Sequence, residues 1–211
     1  MFTKLIGLAF AASLLAGCAI GNKIDYRGQM PAMAPITQGK TVSLGVQDAR
    51  PYVLSGDKAP SFVGLQRGGY GNPFDVTTTS GQPLADDLLQ TFSTMLKRGG
   101  ANVTSAMVPG TRSTAQAIEQ LSKNGSDRVM LISFREWKSD SFMNAWVMYD
   151  ITAKVFDKSG KLLGEKSLQG KDAVTAGAAY AGSESNNSIT DASTNTMRDL
   201  MNAPQIVAAL Q

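Results

Sequence analysis

The chain of 211 residues contains no histidine and a single cysteine, Cys18. These two scarcities remove whole classes of chemistry. A Ser-His-Asp or Cys-His catalytic set and a His-bearing zinc site need a residue that is missing. One cysteine closes no intrachain disulfide and builds no Cys-based metal site. Any reaction would fall to carboxylates, Lys, Tyr or Ser, so no metal, no cofactor and no enzymatic turnover is expected. Charge is sparse and balanced: Lys and Arg total 20 against 17 Asp and Glu, the net charge is +3, and no basic run occurs. A nucleic-acid surface would gather Lys and Arg into a patch or stripe, which argues against such a partner. Beyond residue 17 no apolar stretch approaches the roughly 20 residues that a membrane-spanning helix needs. Hydrophobic residues make up 43% and charged residues 18%, the balance of a chain that buries a core.

What is present starts at the N-terminus. Lys4 supplies one positive charge, an apolar segment runs from Leu5 to Leu15, and Ala16 and Gly17 lead to Cys18. A charged start, a short apolar core and a small-residue end make a secretory signal, too short to span a bilayer. With the cysteine directly after the small pair, Leu15-Ala16-Gly17-Cys18 resembles a lipobox. The expectation is cleavage before Cys18 and acylation of that residue with palmitate-like chains. Several chains on one cysteine make a lasting anchor where a single chain holds only reversibly. No Asp follows Cys18; in Gram-negative lipoproteins an Asp there favours inner-membrane retention, so the outer membrane, facing the periplasm, is the expected location. Residues 1–17 are thus read as a signal peptide, 18–39 as a lipidated N-terminus and flexible tether with Pro31 and Pro35, and 40–211 as one periplasmic globular domain. A tether of about twenty residues could hold that domain up to roughly 60 Å from the bilayer.

Within the domain, Thr41 to Gln47 alternates, with Val42, Leu44 and Val46 on one face of a strand. The Gly-, Pro- and Ser-rich segment from Ser55 to Gly81 reads as a long loop. Gln82 to Arg98 reads as an amphipathic helix with Leu84, Leu88, Phe92, Met95 and Leu96 on its stripe, Asp86 and Asp87 at its start and Gly99 at its stop. A short strand is expected near Ala101–Met107, then a helix opened by the capping box Ser113-Thr114-Ala115-Gln116. Val129-Met130-Leu131-Ile132 has the continuous apolarity of a strand buried on both faces. Trp146 to Phe156 alternates, Asp157-Lys158-Ser159-Gly160 makes a hairpin turn, and Lys161 to Leu168 returns. Gly170 to Ser185 reads as a loop, followed by a helix over Ser188 to Met201 and a helical piece after Pro204. The fold class is α/β, an α+β sandwich: a mixed β-sheet with a central antiparallel hairpin and about three packing helices.

With the lipobox, the strand end Val46-Gln47-Asp48-Ala49-Arg50, the amphipathic helix and the hairpin in place, the chain resembles the YajG family of bacterial outer-membrane lipoproteins. The resemblance covers most of the mature domain. It implies an outer-membrane lipoprotein and brings no catalytic residues with it.

The expected function is non-enzymatic binding or scaffolding of envelope components; the alternative is an auxiliary lipoprotein subunit of an envelope lipid or solute transport system. Candidate partner-binding residues are Asp48 and Arg50 at the strand end, set against a turn hydrogen bond and an ion pair as their bland account. Tyr70 and Phe74 are candidates on the Gly-rich loop. Gly64-Leu65-Gln66-Arg67-Gly68-Gly69-Tyr70-Gly71 lacks the Gly-Lys-Ser/Thr ending of a phosphate loop. Trp137, Phe142 and Trp146 flank Lys138 to Ser141, read as a polar connection between two strands. Core packing competes there with an exposed docking ring. The ten methionines scatter over core faces and read as filler.

Overall fold

The computed structural model describes residues 21–28, 31–174 and 183–211. The lipobox and Cys18, like residues 175–182 of the segment read as a loop before the last long helix, lie outside the described residues. The strands are β1 (Lys23–Ile24), β2 (Thr41–Asp48), β3 (Phe62–Arg67), β4 (Pro73–Thr78), β5 (Asn102–Val108), β6 (Arg128–Ser141), β7 (Ala145–Asp157) and β8 (Leu162–Val174). The helices are α1 (Pro51–Leu54), α2 (Leu84–Arg98), α3 (Thr114–Ser122), α4 (Ser183–Met201) and α5 (Pro204–Leu210).

All eight strands join one curled mixed sheet, ordered β1-β4-β3-β6-β2-β5, with β7 on the other edge of β6 and β8 beyond it. β6 is the spine. Along one edge it pairs antiparallel with β7 over its full length, Arg128 opposite Asp157 and Ser141 opposite Ala145. Its other edge is shared between two parallel neighbours: β2 lies beside Arg128–Phe134 and β3 beside Ser139–Ser141. The register slips between Phe134 and Glu136, where the change of neighbour falls. An extra residue at that point bends the strand and strengthens its twist, which lets one strand serve two partners.

Burial on both faces follows the apolar run. Met130, Ile132 and Phe134 face the larger core with Val42, Leu44 and Val46 of β2, the stripe of α2 and, from α4 and α5, Met197, Leu200 and Ile206. Val129 and Leu131 face the opposite side, where Ala117 and Leu121 of α3 cover them with Val108 and Phe156. Each fully buried side chain of this kind contributes about 1.5–3 kcal/mol. The capping box forms as expected: the Gln116 N–H donates to the Ser113 hydroxyl, and the Ser113 N–H donates to the Gln116 side chain. The β7–β8 turn also forms as expected, with Gly160 at φ +85°, a conformation that costs glycine little.

The expected loop Gly170–Ser185 is strand up to Val174 and helix from Ser183. Three further expectations are corrected. The stretch 18–39 is not a free tether from end to end. Ile24, Tyr26 and Ile36 are buried in the main core, β1 pairs with β4, and residues 32–37 form a strap fastened to the C-terminus. Asn202 accepts the Ala34 N–H at 2.6 Å and donates to the Ala32 carbonyl at 2.9 Å. Gln211 donates to the Pro35 carbonyl and accepts the Thr37 hydroxyl. Polar composition and two prolines read as a linker, but three spaced apolar residues suffice to pin such a stretch. The Ser55–Gly81 segment is no loop: β3 and β4 form an antiparallel hairpin, Leu65 opposite Asp75. Gly64 serves close approach, because a Cβ there would stand 2.6 Å from the Ser139 carbonyl oxygen. Finally, Lys138–Ser141 is strand, the outer half of β6, and the reversal is made by residues 142–144.

Candidate functional site

Asp48 and Arg50 are together, and they face inward. Arg50 has no exposed surface. Its five N–H donors meet five acceptors: Nε and Nη2 grip the two Asp48 carboxylate oxygens at 2.9 and 2.7 Å, and Nη2 also donates to the Pro60 carbonyl. Nη1 donates to the carbonyls of Phe62 and Trp137. The guanidinium lies against the rings of Tyr52 and Phe134, at 5.5 and 5.4 Å. Burial pulls its pKa down, but the hydrogen bonds and charge of Asp48 outweigh that and hold it above the usual arginine value. An Arg-carboxylate fork saturated in this way ties β2, α1, the approach to β3 and the middle of β6 together. Arg50 is therefore a structural cross-link with no surface for a partner. Next to it, the Tyr52 hydroxyl donates to Glu136, which also accepts from Lys138. Burial and then the Glu136 hydrogen bond push the Tyr52 pKa well up.

The aromatic candidates separate by depth. Trp137 is in the core, edge-on to Tyr26 with ring centroids 6.2 Å apart. Burial pushes the Tyr26 hydroxyl up to about 12. Phe74 is half-buried, its ring beside Gly68. Tyr70 is 99% exposed in the β3–β4 turn, and Phe142 is 41% exposed in the β6–β7 turn. Trp146 is half-buried with the Lys171 ammonium 4.8 Å from its ring centroid, the attraction of a cation for an aromatic face.

A cleft of about 320 Å³ opens between Phe142, Met143, Trp146, Met148, Asp140 and Lys171. Met143, 70% exposed, and Lys171 did not stand out in the sequence. The available signal was a reversal opened by Phe142-Met143, where turns ordinarily carry Gly, Pro, Asn, Asp or Ser. Asp140 of β6, on the lining of this cleft, is forked by Arg67 of β3 at 2.9 and 2.8 Å, which joins the two hairpins. A second, more polar cleft of about 500 Å³ lies between β1 and α4, lined by Lys23, Asp25, Thr79, Asn187, Thr190 and Asp191. Among the described residues, no three His, Cys, Asp or Glu side chains converge as a metal site would require, and no helix is long and apolar enough to cross a membrane.

By sequence, no protein-family model and no curated protein matches this chain. Among solved structures, protein XCC0632 from Xanthomonas campestris, of the DUF330 family, is similar with a TM-score of 0.54 at 13% identity, over 85% of this chain and 93% of that one. The PelC dodecamer from Paraburkholderia phytofirmans matches at a TM-score of 0.35 and 16% identity, over 87% and 93% of the two chains. Lipoprotein GNA1162 from Neisseria meningitidis matches at 0.30 and 15% identity, over 75% and 97%. What this chain shares with XCC0632 is a fold, an α+β sandwich on a curled mixed sheet.

Proposed function

We propose that this chain is an outer-membrane lipoprotein of the YajG kind, anchored through acyl chains on Cys18, that binds or scaffolds envelope components without enzymatic turnover. The observation that carries the reading is Leu15-Ala16-Gly17-Cys18, with a charged, apolar signal before it and the folded body beginning by Gly21 after it. A lipobox cysteine next to a packed domain has the order of an anchored body. The absence of histidine leaves no imidazole for acid–base catalysis at neutral pH. The surface instead offers exposed rings at two hairpin turns, the residue types that concentrate interface energy.

The test is palmitate labelling and intact-mass analysis of the chain made in a Gram-negative host, followed by density separation of its membranes. Acyl mass on a chain beginning at Cys18, in the outer-membrane fraction, is expected. A Cys18→Ala chain that is processed normally and still sediments with membranes would end the proposal.

A further inference from the structure

Two hairpin turns and the entry of the chain into the sheet lie at one end of the molecule. β3 and β6 run parallel, Gly64 opposite Ser139 and Gln66 opposite Ser141, so the 68–72 and 142–144 turns emerge side by side. β4 runs the opposite way, and β1 runs with β4, Lys23 opposite Thr77. Followed backwards from Ile24, the chain therefore heads toward this same end, and Gly21 is packed against the Asp75 carbonyl. Cys18 is three residues upstream of Gly21, so at full stretch it stays within about 10 Å of it. That is also about the length of β4 that remains between Asp75 and the 68–72 turn.

The two most exposed large apolar side chains among the described residues crown this end: Tyr70 at 99% and Met143 at 70%. Phe142 is beside Met143, and Trp146 lies just below with Lys171 over its ring. Tyr70 sits between Gly69 and Gly71 at the tip of its turn, with nothing of the fold covering it.

We infer that this end of the sheet rests on the lipid surface that anchors Cys18, with Tyr70, Phe142 and Met143 seated at headgroup level; the inference rests on the anchoring proposed above. An anchor on three residues of chain leaves the body no room to stand away from the bilayer, and the end it holds down carries these side chains. Tyrosine and tryptophan have apolar rings with polar edges and collect at membrane–water interfaces, where a lysine beside them keeps its charge in water. Inserted rings would add apolar burial to that of the acyl chains. A second copy or another protein would have to share this end with the bilayer inside the same 10 Å reach, as ~3.5 Å per residue sets it.

The full-length chain, matured and acylated, tests this. Cys18 is the single cysteine and its thiol is blocked by the acyl chain, so Tyr70→Cys, Met143→Cys or Ser159→Cys each provides one reactive thiol. Ser159 serves as the control because the β7–β8 turn is at the opposite end of the sheet. Each variant is labelled with a nitrobenzoxadiazole dye and reconstituted into vesicles of phosphatidylethanolamine and phosphatidylglycerol, with and without lipids carrying a nitroxide near the headgroup. Emission from positions 70 and 143 is expected to rise several-fold over that from 159 and to be quenched by the nitroxide lipid. Labels at 70 and 143 that stay in water on a chain whose mass shows acylation would overturn the docking and leave the anchor standing. Labels shielded from water but untouched by the nitroxide would show a protein in place of lipid and overturn it equally. A mass without acyl groups would overturn the anchor, and the docking with it.

Discussion

Replacing Asp48 by Ala strips the paired carboxylate from a guanidinium that has no exposed surface. In the native protein Arg50 gives two of its five N–H groups to Asp48 and the other three to the carbonyls of Pro60, Phe62 and Trp137. The carbonyls remain in the variant, but they bring no charge to balance the cation. Breaking a buried pair on one side costs about 3–5 kcal/mol, because the remaining ion is left uncompensated. For a domain of this size each kcal/mol moves the melting temperature by about 2–4 °C, so Asp48→Ala is expected to melt roughly 6–20 °C lower. Arg50→Lys tests the geometry separately: lysine keeps the charge but offers three donors where five acceptors wait, and it too is expected to be strongly destabilised. The double variant Asp48→Ala/Arg50→Met removes the stranded charge, so its loss should be smaller than the sum of the single losses, with a coupling of ~1 kcal/mol or more between adjacent partners. Thermal melts followed by circular dichroism, with urea titrations to verify two-state behaviour, provide the measurement. A drop of about 2 °C or less for Asp48→Ala would put the pair in the range of an exposed ion pair, under ~1 kcal/mol, and refute the reasoning.

Gly64→Ala drives a Cβ to 2.6 Å from the Ser139 carbonyl oxygen and 2.9 Å from its backbone nitrogen, where strand pairing holds both; a loss of about 1–3 kcal/mol is expected, and an unchanged urea midpoint would show that β3 and β6 are not so close. Asn202→Ala removes both strap bonds, to Ala34 and Ala32, and should cost about 2 kcal/mol; amide exchange at Ala34 as slow as in the parent would contradict this. Tyr26 is neutral when folded up to about 12 against 10.0 for the exposed side chain. Its contribution is complete below pH 10 and fades as pH rises toward 12, by about 3 kcal/mol in all. Tyr26→Phe should therefore lose less stability over that alkaline range, and parallel pH profiles for the two proteins would sink the assignment.

Periodicity carried much of the architecture. The double burial of Val129–Ile132, the stripe of α2 and the β7–β8 hairpin are all legible because alternation and helical spacing report directly on which faces are covered. The β3–β4 hairpin was hidden because its glycines and Pro73 resemble loop punctuation, although Gly64 is required by the contact with Ser139. The role of Asp87 was hidden too. Its place in the first turn of α2 suggested only an interaction with the helix dipole, whereas it is buried and holds Arg27 at 2.6 Å and Ser80 at 2.8 Å. Those partners lie in segments whose path depends on the whole fold. For the exposed end, the sequence showed the aromatic cluster but not its depth ordering. Trp137 and Trp146 are nine positions apart and read alike, yet the bulge at 135 and the face each takes put one in the core and the other at the surface.

The strap also sets a timetable for assembly. β6, β7 and β8 are consecutive and antiparallel, so their pairings need only local reversals and can form while the chain is still being delivered. The strap cannot. Four of its bonds reach from residues 32–37 to Asn202 and Gln211, separations of 168 to 176 positions, beside the one from the Ile36 N–H to the Gly99 carbonyl. Loop closure over such distances precedes any gain from the contact, which makes it the slow, late kind of step. A chain emerging from its N-terminus can seat Ile24 and Tyr26 through β1–β4 pairing, yet it leaves residues 32–37 without these four bonds until Asn202 and Gln211 arrive. The seam between residues 32–37 and the last two helices closes late, and a chain cut before Asn202 would leave it unlatched.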